Sequence, residues 1–166
     1  IRDSSHTHLI FGGYRADEFG WRLRGESYMS IMERGGGIQS TVNATRSASA
    51  EDLRKKAAWF LDRMSEMGVT TVEAKSGYGL DTETEMKMLD VINSLADDEN
   101  ARLRIISTFL GAHAVRSEFK GRTSEYVDLI INEMLPAAKG KAKFCDIFTE
   151  KNVFEIEDSR RFLKAA

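Results

Sequence analysis

One cysteine, one proline and three histidines are all that 166 residues contain of these types. Cys145 has no second cysteine to pair with, which excludes an intramolecular disulfide and makes a reducing compartment, the cytoplasm by default, the expected setting. No apolar run reaches the length of a membrane span, and no signal-peptide pattern opens the chain. Excess charge is lacking as well: 24 basic and 26 acidic side chains leave a net charge of -2. The two signs are interspersed, so neither a nucleic-acid nor a membrane partner is expected. Repeats and low-complexity tracts are absent, and nothing marks an internal boundary, so residues 1–166 read as one domain. What remains is 42% hydrophobic and 30% charged. That is the balance of a soluble globular chain, long enough to bury a core.

Alternation is the main positive signal. "VTTVEA" (69–74), "LRIISTF" (103–109) and "KFCDIFT" (143–149) are short and rich in β-branched or aromatic residues, and so predict strands. "IRDSSHTHLI" supplies a first one. From Glu51 to Met67, apolar positions Leu53, Ala57, Phe60, Leu61, Met64 and Met67 follow the helical period, and Gly68 is placed to end the helix. A second helix opens at "DTETE", where Thr82 and Glu85 have capping-box spacing, and buries Met86, Leu89, Ile92 and Leu95 or Ala96. A third runs from Thr123 to about Lys139, with Pro136 near its end. A fourth starts at Glu155. The long connection from Phe19 to Arg46 holds a short amphipathic piece, "SYMSIMER", and a glycine run, "GGGI". Strands alternating with helices predict an α/β fold, its parallel strands joined by right-handed crossovers. Ligands of such folds bind at the carboxyl ends of the strands.

The residues with chemistry fall in those strand-end loops. His6 and His8, two apart on a strand, point to one face and could share a metal ion; two surface histidines are the plainer alternative. His113, after the third strand, could be a third ligand, a general base or a hydrogen-bond donor to substrate. Tyr78 stands between glycines in "SGYGLD", where the backbone could project it over a ligand or simply turn. Arg15 in "GGYR" could clamp a carboxylate, and Tyr28 could add a hydroxyl. Lys75 and Glu73 most simply form a charge pair. Cys145, within a strand, reads as a small core residue.

"HTHLIFGGYRADEF", "LRGESYMSIMERGGGI", "GVTTVEAKSGYGLD", "TFLGAHAV" and "EMLP" with "FCDIFTE" occur in an order and spacing that strongly resembles the imidazolonepropionases of the amidohydrolase superfamily. The resemblance implies about the first four βα units of a (β/α)₈ TIM barrel, a partial barrel with parallel strands. It implies hydrolytic ring opening of 4-imidazolone-5-propionate, a small-molecule substrate, to N-formimidoyl-L-glutamate. His6 and His8 would be ligands of one zinc or iron ion. Arg15, Tyr28, Tyr78 and His113 match substrate-contacting positions, with His113 preferred as a substrate contact over a third ligand. The remaining ligands and the glutamate that handles protons are expected beyond Ala166, so the chain is expected to be an N-terminal to central fragment, inactive alone. One departure stands out: two residues separate Asp3 from His6 where the superfamily pattern has one. The alternatives are a related cyclic amidohydrolase or deaminase, or a non-catalytic half-barrel that self-associates, as a homodimer for example, through open sheet edges.

Overall fold

The computed structural model describes residues 2–166, apart from the side chains of Tyr28, Met32 and Glu33. Strands β1 (Asp3–Thr7), β2 (Thr71–Lys75), β3 (Arg104–Ala112) and β4 (Phe144–Ile147) form one parallel sheet in the order β1-β2-β3-β4. Neighbours in sequence are neighbours in space, the winding expected of successive βα units. Helices α1 (Ala16–Leu23), α2 (Tyr28–Glu33), α3 (Ile38–Ser47) and α4 (Ala50–Glu66) precede β2, and α5 (Thr82–Ala96) precedes β3. Between β3 and β4 lie α6 (Thr123–Leu129), a π-helical turn (Ile130–Met134) and α7 (Leu135–Ala138), and α8 (Ile156–Ala165) follows β4. Among the described residues no helix is long and apolar enough to cross a membrane.

Strand β2 shows why the sheet has two characters. Val72 and Ala74 are fully buried in a core with Leu53, Ala57 and Leu61 of α4 and Met88, Leu89 and Ile92 of α5. The alternate residues Glu73 and Lys75 take the other face, as the two-residue period requires. That face points away from the helices and carries the polar chemistry.

Three features differ from the sequence expectations. The connection from Phe19 to Arg46 contains most of three helices rather than one short piece. Its helicity is hidden because α1 exposes Phe19 and Leu23, while α3 buries Thr41 and Thr45 beside Val42. The capping box of Thr82 and Glu85 does not form: Asp81 is the N-cap and accepts the Thr84 N–H at 2.7 Å, so the Glu85 side chain is released to the preceding loop. The pattern from Thr123 to Lys139 is interrupted by the π turn, and Pro136 lies in the last short helix, where a missing N–H is tolerated.

The spacing before His6 has a structural counterpart. Ser4 pairs with Val72 and Thr7 with Ala74, three residues of β1 against two of β2. The extra residue is taken up as a bulge immediately around His6.

Candidate functional site

Four rings meet at the carboxyl ends of β1, β2 and β3. The His6 and His8 rings are 5.4 Å apart, centroid to centroid, and inclined at 69°. Tyr78, just after β2, lies 5.1 Å from His8, and His113, just after β3, stacks on His8 at 4.3 Å. Tyr78 and His113 are 5.2 Å apart. Arg15 joins His8 and Tyr78 in lining a cavity of about 230 Å³, whose wall includes Thr41 of α3. Five of the six residues singled out from the sequence are therefore neighbours. The sixth, Tyr28, has its side chain outside the described residues.

Burial sets the protonation of these groups. It is the main cause that pushes His8 down to about 3, with the adjacent His113 and His6 acting in the same direction. His113 is lowered too, again chiefly by burial. Both imidazoles are thus neutral at ordinary pH and keep a nitrogen lone pair. Burial raises the Tyr78 phenol, which stays protonated and able to donate.

The two loops that carry these side chains are built differently. After β1, Gly12 lies so close to α3 that an added Cβ would sit 2.3 Å from the Ala44 carbonyl oxygen, and its N–H donates to Thr45 Oγ1 at 2.9 Å. Lys56 of α4 donates to the Gly13 carbonyl at 2.5 Å and sits over the Phe11 and Tyr14 rings at 3.5 and 3.7 Å. Arg15 is 40% exposed in its side chain, and its ion-pair partner Glu18 is 3.9 Å away. After β2, the Glu85 carboxylate accepts N–H groups from Gly77, Gly79 and Leu80. From outside, Arg46 Nε donates to the Gly79 carbonyl and pairs with Asp81, both at 2.8 Å.

Below the rings, Lys75 is 5% exposed and pairs with Glu73 at 2.8 Å, as expected, but also with Asp146 of β4 at 2.9 Å. Thr108 of β3 donates its hydroxyl to Glu73 at 2.6 Å. This network ties three strands together on the polar face. Sequence reading missed Glu85, Thr108 and Asp146. Only Asp146 carried a signal, a carboxylate inside the apolar strand "KFCDIFT". Cys145 is half-buried, its thiol pushed up by burial, which suits packing better than nucleophilic attack.

The histidine pair fits a metal ion. His8 Nδ1 is buried and has no hydrogen-bond partner. The His6 and His8 rings are neighbours and are not stacked, so their inclination does not bar a shared ion. His113 is nearly parallel to His8, at 12°, and an ion cannot lie in two stacked planes at once. Two imidazoles are fewer than the three protein ligands of a catalytic zinc site. Among the described residues, no group of three or more His, Cys, Asp or Glu side chains is arranged to hold an ion.

Parallel strands whose carboxyl ends gather three imidazoles and a phenol, with a guanidinium beside them, define an α/β unit with a candidate ligand site at its strand ends. Sequence comparison narrows the class. Over 164 residues the chain is 61% identical to an imidazolonepropionase of Phocaeicola vulgatus, 60% to one of Bacteroides thetaiotaomicron and 52% to one of Clostridium tetani. Each alignment covers 98% of this chain and 39–40% of the relative, so the chain spans about two-fifths of the length of the curated relatives it matches. No protein-family model matches it. Over nearly its whole length the chain is thus similar to a segment of the imidazolonepropionases.

Proposed function

We propose that residues 1–166 form one part of a metal-dependent amidohydrolase barrel that opens the ring of 4-imidazolone-5-propionate to N-formimidoyl-L-glutamate. The observation that carries this reading is the meeting of His6, His8, Tyr78 and His113 from three successive strand ends, with Arg15 lining a small cavity beside His8 and Tyr78. His6 and His8 would hold the ion, zinc or iron, both of which accept imidazole nitrogen. Such an ion supplies Lewis acidity and makes water a stronger nucleophile at neutral pH.

The chain's own residues bind and orient the substrate. Arg15 offers two parallel N–H groups to the propionate carboxylate, and the protonated Tyr78 hydroxyl offers a further donor, with Tyr28 as a second phenol. His113 holds the ring from the side opposite the anionic tail. Thr41 of α3 forms part of the cavity wall. The proton-handling glutamate and the remaining ligands belong to sequence outside these residues. The same reading has a small-molecule substrate, no nucleic-acid or membrane partner and a cytoplasmic setting. It leaves the outer edges of β1 and β4 to further strands or to a second copy.

The test is a chimera in which this chain replaces the matching segment of the Phocaeicola vulgatus relative. The expected result is loss of the ultraviolet absorbance of imidazolone propionate within about tenfold of the parent rate, a span of about 1.4 kcal/mol in barrier. The 166-residue chain alone is expected to give none. A folded, metal-loaded chimera that leaves the substrate intact overturns the reading in favour of another cyclic amide.

A further inference from the structure

The loop that carries Tyr78 is wrapped around a side chain that the reaction does not touch. Glu85 is fully buried. Its Oε2 accepts the Gly77 N–H at 3.0 Å, and its Oε1 accepts those of Gly79 and Leu80 at 2.8 and 2.9 Å. Burial pushes this carboxyl up, while the Ser76 hydroxyl and the three backbone donors pull against that shift. Gly77 is gripped from its other side as well, since its carbonyl oxygen lies 2.9 Å from His113 Nδ1. A carbonyl can only accept, so Nδ1 carries the proton. In the neutral ring, Nε2 is then bare. The approach needs glycine: φ is +110°, and a Cβ would lie 2.9 Å from the Leu110 carbonyl oxygen and 3.1 Å from His113 Nδ1.

We propose that Glu85 is a positioning residue: through Gly77 it locks His113 in the Nδ1–H tautomer and seats Tyr78, so that His113 presents an accepting nitrogen to the ligand. The ligand must then bring an N–H or O–H donor to that side. This consequence for substrate rests on the amidohydrolase reading. The tautomer itself rests on the contacts of Gly77 alone.

With only three histidines in the chain, the tautomer can be read directly. In the ¹⁵N-histidine-labelled 166-residue chain, long-range proton–nitrogen correlation is expected to show His113 with a protonated Nδ1 and an unprotonated Nε2. In Glu85→Gln, where an amide nitrogen replaces one acceptor, the single tautomer is expected to give way to an averaged one. The Tyr78 ring signals should shift while the β1–β4 amide signals stay in place. A protonated Nε2 in the unmodified chain overturns the proposal, as does a folded Glu85→Gln variant with His113 and Tyr78 unmoved. If that variant does not fold, hydrogen exchange in the unmodified chain decides. Slow exchange at Gly77, Gly79 and Leu80 supports the anchor, and exchange as fast as at the exposed Gly121 overturns it. A chimera inert toward imidazolone propionate would remove the proposed reaction and leave the tautomer result standing.

Discussion

The loop after β2 closes around a buried carboxylate and is braced outside by Arg46. The loop after β1 leans on Thr45 and Lys56 and ends in a half-exposed arginine. Both reach the same cavity. In the first, even a strained position is over-determined: Leu80 has a φ of +58°, unusual for a branched side chain, yet it is 2% exposed and its N–H is held by Glu85. On the proposed reading, the loop that would hold the ring of a substrate is pre-organised, and the loop that would meet its anionic tail keeps room to adjust.

Substitutions can break or sharpen this contrast. Arg15→Ala in the chimera is expected to raise KM about tenfold to a hundredfold, the loss of a charge-assisted contact. Its kcat should change little, and stability should stay within about 0.5 kcal/mol of the parent. A large loss of stability would show that the β1 loop is as tightly built as the other. Tyr126→Phe should have the smaller effect. The Tyr126 hydroxyl, in a fully buried residue, lies 3.2 Å from the Leu80 carbonyl oxygen and 3.0 Å from that of Gly111, bracing the loop after β2 against the end of β3. Its removal is expected to destabilise by about 1–2 kcal/mol, read as a lower urea midpoint at unchanged slope. An unchanged midpoint would mean the brace contributes nothing.

Much of this architecture was legible because it is periodic. Alternation in "VTTVEA" and the helical spacing from Leu53 to Met64 placed β2 and α4, and strand-end logic placed His8, Tyr78 and His113 in one region. Where the chain escaped reading, the cause is specific. Helix α3 buries Thr41 and Thr45, and the Thr45 hydroxyl accepts from Gly12 of the β1 loop, so its inward face does not look apolar. Glu85 has the spacing of a capping residue, and only the presence of Asp81 at the N-cap redirects it. Asp146 joins Lys75 from 71 positions away, a pairing that no local pattern encodes.

The candidate site depends on aromatic side chains from three strand ends meeting at one point. Nuclear Overhauser contacts in the 166-residue chain measure that directly. Cross-peaks are expected between the ring protons of His8 and Tyr78, His8 and His113, and Tyr78 and His113, whose ring centres lie 5.1, 4.3 and 5.2 Å apart. A folded chain that lacks all three would contradict the account.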